Sequence, residues 1–276
     1  MRFQIRADVS ASIPLIDLLH GECSVSKTKL KKAINAGAVW LIQGKRRKRL
    51  RRATRLIESG SQIALYYDEE IINFIPPQPT QIHTEQNFSV WYKPPFLLSQ
   101  GTLYGDHCSI LRIVEQTSGK QIKPFLIHRI DREASGLILI GHSKSAARKL
   151  TELFTTRKIT KKYLAELHGR AAIPSEGFTI DIPLDNKSAT TLLEYAHYNS
   201  VSDSTVVQIS ITTGRKHQIR RHLQHIGYEI IGDKRYGSKT TKNLQELKLK
   251  AFQLAFNNPF DQKAIEIILP NDLMQF

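Results

Sequence analysis

Pro76, Pro77 and Pro79 stand within four positions of one another. Each fixes φ and lacks an amide donor, so neither a helix nor the middle of a sheet can run through them. They follow an acidic stretch, Asp68-Glu69-Glu70. The 276-residue chain therefore reads as two folded segments, residues 1–75 and 87–276, joined by an extended Pro-rich linker over residues 76–86. Charge agrees with that division. Residues 1–75 hold 14 Lys and Arg against 7 Asp and Glu, within a whole-chain balance of 40 against 25 and a net charge of +15. Per residue the first segment is more than twice as basic as the second, and such an excess points to a polyanion, most commonly nucleic acid. Two cysteines exclude a disulfide-stapled fold. Apolar runs such as residues 137–140 are far too short to span a bilayer, and the first twenty residues carry Arg2, Arg6, Asp8 and Asp17 with no apolar core. The expectation is a cytoplasmic chain with no membrane partner.

In the first segment Ile13, Leu15, Ile16, Leu18 and Leu19 predict a short helix. Ser26 is placed to cap a second, in which Lys27, Lys29, Lys31 and Lys32 alternate with Leu30, Ala33 and Ile34, and Gly37 stands where a glycine ends a helix. Residues 39–42 read as a strand and 60–67 as another. Between them Lys45-Arg46-Arg47-Lys48-Arg49-Leu50-Arg51-Arg52 reads as a basic loop. Helix, helix, strand, basic loop, strand resembles the S4 RNA-binding domain over about residues 12–68. The resemblance implies a small α/β module that neutralises RNA phosphates through Lys27 and Lys31 on the helix and Arg46, Arg47 and Arg49 in the loop. A solvated basic loop with no ligand is the duller alternative.

Residues 87–276 alternate short apolar strands with few helices. Residues 90–92, 137–140, 163–167, 206–211, 254–256 and 265–269 read as strands. Ser143 caps a helix running to Phe154 with Ala147, Leu150 and Phe154 on one stripe, and a second helix follows Gly214 as far as Gln224. Many strands with unevenly placed helices predict an α+β fold with a mixed, largely antiparallel sheet.

Chemistry is concentrated in His128-Arg129-Ile130-Asp131-Arg132-Glu133-Ala134-Ser135-Gly136-Leu137, which runs directly into the strand at 137–140. A polar loop entering an apolar strand is held rigidly at a sheet edge, and Asp131 lies between Arg129 and Arg132, either of which favours its ionised form. From these ten residues alone, a structural salt-bridge loop is an equal reading. The stretch resembles the motif around the catalytic aspartate of the RluA-like pseudouridine synthases: His-Arg-Leu-Asp, two variable residues, then Thr-Ser-Gly-Leu. Trp91-Tyr92-Lys93-Pro94 resembles the segment that opens that family's catalytic domain, and Lys161-Lys162-Tyr163-Leu164-Ala165 with Gly169 resembles its tyrosine strand. Thr213-Gly214-Arg215-Lys216-His217-Gln218-Ile219-Arg220, with His222-Leu223, Gly227, Ile231-Gly232-Asp233 and Tyr236-Gly237, resembles its longest motif. The matches cover most of residues 90–256. Pro95-Phe96 stands where the family has a Gly, Ala134 replaces Thr, and Lys250 and Asn258 stand where His is common.

The resemblance implies a pseudouridine synthase fold behind an S4-like domain, and isomerisation of uridine in structured RNA with no cofactor and no metal. The N1–C1′ bond breaks, the uracil turns, and C5 joins C1′. It implies Asp131 as nucleophile, at C1′ or at C6, Arg220 as the guanidinium paired with it, and Tyr163 stacked on the uracil. Arg129 would fill the space of the flipped nucleotide, with His128 beside it at the substrate, bonding the loop more than acting as a base. Ribosomal RNA is the favoured substrate and transfer RNA the other candidate; no protein partner is implied. Without the resemblance, Tyr163 reads as a core aromatic and Arg220, next to Arg221, as a solvated helix residue. His217, His222 and His225 invite a metal, but no Cys or carboxylate cluster completes a site.

Overall fold

The computed structural model describes residues 1–119, 121–237 and 246–276. The chain forms two units, Met1–Pro76 with Gln100–Gly119, and Pro77–Ser99 with Lys120–Phe276. In the first unit β1 (Arg2–Asp8), β3 (Val39–Gln43), β4 (Arg46–Leu50) and β6 (Gln62–Asp68) make an antiparallel sheet in the order β1-β6-β3-β4. A short pair, β2 (Ile13–Pro14) and β5 (Leu56–Ile57), stands apart from it. Helices α1 (Leu15–Glu22) and α2 (Lys27–Ala36) contribute Leu15, Leu19, Leu30 and Ile34 to a core shared with Ile63 and Leu65 of β6. Ser26 Oγ accepts the Lys29 amide, and Gly37, at φ +82°, donates to Ile34 O at 3.0 Å, so both expected caps of α2 are present. α3 (Glu69–Asn73) closes the segment.

The basic run is not a loop. Gly44 and Lys45 turn the chain, and Arg46 through Leu50 pairs with β3, Gln43 opposite Arg46 and Val39 opposite Leu50. β4 is the outer strand of the sheet, where long cationic side chains reach water and discourage further strand pairing. Residues 100–119, assigned by sequence to the second domain, also belong to the first unit. Trp40 Nε1 donates to Leu103 O at 2.9 Å, the Asp106 amide donates to Ala36 O at 2.9 Å, and the Asp106 carboxylate pairs with Arg51 and, at 3.3 Å, with Arg49 Nε. α4 (Ile110–Thr117) completes this returning segment.

The second unit is a ten-stranded sheet. Its strands are β7 (Thr80–Thr84), β8 (Phe88–Lys93), β9 (Phe125–Leu126), β10 (Ser135–Gly141), β11 (Ile159–His168), β12 (Phe178–Asp181), β13 (Thr190–Asn199), β14 (Ser204–Ile211), β15 (Leu249–Asn257) and β16 (Ala264–Ile268). The order is β12-β13-β14-β11-β15-β10-β8-β7, with β16 beside β15 and β9 beside β10. β10 and β15 run parallel and the other described pairs antiparallel, so the α+β expectation holds. The linker expected over 76–86 is shorter: the chain enters β7 at Thr80 and hairpins into β8 with the Glu85 amide donating to Phe88 O at 2.8 Å. Among the described residues three helices accompany the sheet, α5 (Lys144–Thr155), α6 (Gln218–His225) and α7 (Asn271–Met274). Ser143 caps α5 as expected, but the buried stripe is Ala146, Leu150 and Leu153, one position round from the predicted face. Two apolar clusters hold the unit together. One includes Leu167, Leu193, Ile209 and Leu223; the other includes Phe88, Leu137, Leu139, Leu150 and Phe256.

Candidate active site

β10 is buried along its whole length and sits beside β15 so closely that a Cβ on Gly136 would lie 2.2 Å from Ala251 O. The loop at 128–134 leads into it and is held from several directions. Lys93, fully buried at the end of β8, donates from Nζ to Pro94 O at 2.9 Å, Leu97 O at 2.8 Å and Arg132 O at 3.2 Å. The Phe96 amide donates to the same Arg132 carbonyl at 2.7 Å, and Ser99 Oγ donates to Ile130 O at 2.8 Å. His128 Nε2 accepts the Leu139 amide at 3.0 Å, and its ring stacks on Phe154 with centroids 4.8 Å apart. That acceptor role leaves the proton on Nδ1, and burial, then the charge of Lys161, pushes the ring's pKa down to about 3. His128 is therefore a neutral brace at the cleft wall, its ring bonded to the strand the loop enters.

Asp131, at the tip of this loop, opens into a cleft of about 710 Å³ lined by Arg129, Lys161, Tyr163, His217 and Arg220 among others. Arg220 is buried on α6, and its NH1 donates to Asp131 Oδ2 at 3.2 Å. The opposite side of the same guanidinium is gripped by Asp233, which accepts from Nε at 2.7 Å and from NH2 at 2.8 Å. Asp233 is itself oriented by the backbone amides of Arg235 and Tyr236, each donating at 3.0 Å. Burial alone would lower the Arg220 pKa; the hydrogen bonds and charge of Asp233, then Asp131, outweigh it and hold the group above its ordinary value. A bidentate fork anchored on one carboxylate and aimed at another gives Asp131 a fixed, charged partner. His217 Nε2 stands 3.8 Å from Asp131 Oδ1. Burial pushes its pKa down, the nearby Arg220, Arg235 and Lys216 charges acting the same way against Asp131.

Tyr163 lies on β11 opposite a bulge in β15: Lys162 pairs with Gln253 and Tyr163 with Ala251, so Phe252 is the extra residue and β11 itself keeps its alternation. It is buried, and burial, then the Asp131 charge, pushes its phenol well above the usual range, so the hydroxyl keeps its proton. Arg129 is exposed at the cleft. The metal reading of the histidines does not survive: His222 is fully buried, with Nδ1 2.9 Å from Thr191 Oγ1 and Nε2 3.0 Å from Ile182 O. Of the basic residues expected to meet phosphates, Lys31, Arg46 and Arg47 are exposed. Lys27 is paired with Asp17 at 2.6 Å. Arg49 is committed inward: it donates to the carbonyls of Gly37 and Thr102, pairs with Asp106, and lies 4.0 Å from the Trp40 ring. It is withdrawn as an RNA contact, because its hydrogen-bonding edges are taken.

Sequence reasoning assigned no role to Asp233 or Gln218. Gln218, buried at the start of α6, accepts from Thr213 Oγ1 and the Arg215 amide and donates to Thr190 O and Thr191 Oγ1, fixing the turn that delivers Arg220. Both lie inside the longest motif, but their partners are set by tertiary folding and not by spacing.

Residues 87–225 match the family model described as RNA pseudouridylate synthase, just over half of the chain. The chain belongs to this family. Its relatives place it on the RluA-like side, as the motifs implied. An uncharacterised RNA pseudouridine synthase of Helicobacter pylori is 31% identical over 200 residues, the match spanning 65% of each protein, a little under two thirds of that relative's length. The dual-specificity RNA pseudouridine synthase RluA of Vibrio parahaemolyticus is 32% identical over 201 residues, covering 65% of this chain and 78% of its own. The ribosomal large subunit pseudouridine synthase C of Buchnera aphidicola is 28% identical over 254 residues, covering 84% and 74%. The solved human RNA pseudouridylate synthase domain containing 1 shares the fold, with a TM-score of 0.59 at 22% identity over 73% of this chain and 88% of that one.

Proposed function

We propose that this chain converts uridine to pseudouridine in structured RNA, with Asp131 as the covalent nucleophile. The observation that carries the reading is the buried guanidinium of Arg220, anchored on Asp233 and aimed at Asp131 across an open cleft. Such an arrangement gives a carboxylate a fixed cationic partner and a fixed aim, which attack on C1′ or C6 of an extruded uridine requires. Tyr163, its hydroxyl protonated, offers a flat face for the uracil. Arg129, exposed at the rim, supplies a cation for the space the flipped nucleotide leaves, at an unstacking cost of a few kcal/mol. Ribosomal RNA is the substrate we favour over transfer RNA, a choice supported by the Buchnera relative. Unit one, with Lys31, Arg46 and Arg47 exposed, serves as an S4-like clamp on the RNA backbone.

The decisive experiment uses RNA from cells lacking the gene, labelled with tritium at C5 of uridine. The full chain is expected to release label to water, and Asp131→Ala to reduce release at least a thousandfold while remaining folded. Undiminished release from the variant would remove Asp131 from its role, and none from the wild type would remove the activity. Pseudouridine mapping on the same RNA, treated and untreated, then names the target.

A further inference from the structure

Four cationic side chains are buried among the described residues: Lys93, Lys161, Arg220 and Lys250. Three are satisfied within the protein. Lys93 donates to three carbonyls, Arg220 to two carboxylates, and Lys250 to the carbonyls of Leu273 and Gln275. Lys161 is different. Among the described residues its Nζ has neither a hydrogen bond nor an ion pair, and it stands over the Phe154 ring, 5.7 Å from the centroid. Burial lowers its pKa with no carboxylate acting in the opposite sense, and the neighbouring His128 is neutral. A buried ammonium without an anion is among the more destabilising groups a fold can carry, and a Met would fill the same space without the charge.

Position says what the charge is for. Lys161 and Tyr163 both belong to the buried face of β11, on which alternate residues point the same way, and both line the cleft that holds Asp131. Two residues of strand advance by about 6.6 Å, roughly the reach from a stacked base to its own backbone. Uracil and ribose are neutral; the anion each nucleotide brings is its phosphate. We propose that Lys161 is a substrate-binding residue whose ammonium receives the phosphate of the nucleotide inserted into the cleft. The inference rests on the pseudouridylation reading above. The amine is largely shielded by the cleft wall before the RNA arrives, so the ion pair forms in a partly desolvated site where it is stronger than on the surface.

The test compares the full chain with Lys161→Met and Lys161→Arg, using the same tritium-labelled RNA over a range of salt concentrations. Lys161→Met should melt no lower than the wild type and lose at least tenfold in kcat/KM, mainly through KM. Its plot of log KM against log salt should flatten by about 0.7 to 0.9, the equivalent of one phosphate. Lys161→Arg should keep the wild-type slope. An unchanged slope in Lys161→Met overturns the proposal, as does a fall in kcat alone, which would put the amine on the reacting base. A lower melting temperature with unaltered kinetics would make Lys161 structural. Absence of release by the wild type at every salt concentration would instead defeat the underlying reading and take this one with it.

Discussion

Asp131 meets a guanidinium that is already fixed before any substrate arrives. Because Asp233 and Arg220 are both buried, removing the anchor leaves the cation short of charge in the interior. Asp233→Ala should cost about 3 kcal/mol in urea unfolding, the low end for a broken buried pair because Asp131 and Glu133 remain within 3.6 Å of Arg220. Catalysis should fall with it; unchanged stability would mean that Asp233 anchors nothing. His128 makes a pH prediction. Its folded pKa, about 3, lies below the ordinary 6.5, so between those values the unfolded chain holds a proton that the folded chain does not. Stability from this group is complete above pH 6.5 and is lost on acidification towards pH 3, by up to about 1.4 kcal/mol per unit. Urea unfolding of His128→Asn at pH 4, 5 and 6 should show a shallower acid dependence than the wild type; equal slopes would mean the imidazole is not held neutral. Asp131 and Arg220 are 89 residues apart, and their pairing was legible only through the motif resemblance. Asp233 was quoted in that motif without a role, since nothing in Ile231-Gly232-Asp233 announces which cation it will face. At Phe96 the backbone takes φ +66°, the left-handed region open to the glycine that the family places there.

The strands that carry the site and their neighbours β8, β14 and β15 were readable from their apolar runs, and several strands farther from it were not. β10 and β11 showed as branched or alternating runs. β13 was missed because its Thr, Glu, His and Asn interrupt the pattern on a half-open face, and β1 because its alternation of Phe3, Ile5 and Ala7 is set among charges. β4 failed in another way: consecutive Arg and Lys suggested a loop, whereas an outer strand tolerates them. The parallel register of β10 and β15 has its own sequence requirement at Gly136, which sits at φ +120° against the Ala251 backbone. Neither strand can retreat without breaking pairs on its far side. Gly136→Ala should therefore destabilise the chain by at least about 2 kcal/mol, seen as a lower melting temperature or loss to inclusion bodies. A variant that melts with the wild type would mean that the two strands can separate locally at no cost.

At the level of the molecule, the proline cluster was a sound guide to a division but a poor guide to membership, because 100–119 returns to the first unit through Asp106 and its arginines. Simple removal of residues 1–75 would strip that segment of its partners, among them Ala36, Trp40, Arg49 and Arg51. The clamp is better tested by charge. Arg46→Ala combined with Arg47→Ala, both exposed on an outer strand, should leave the melting temperature in place and reduce the salt slope of RNA binding by roughly 1.5. An unaltered slope would show that this strand does not touch the RNA backbone. The polypeptide crosses between the units three times, at 76/77, 99/100 and 119/120. A lineage that exchanged its front half by one recombination event would inherit a docking segment written for a different host. A working chimera of this chain therefore needs two grafts at once, residues 1–76 and 100–119.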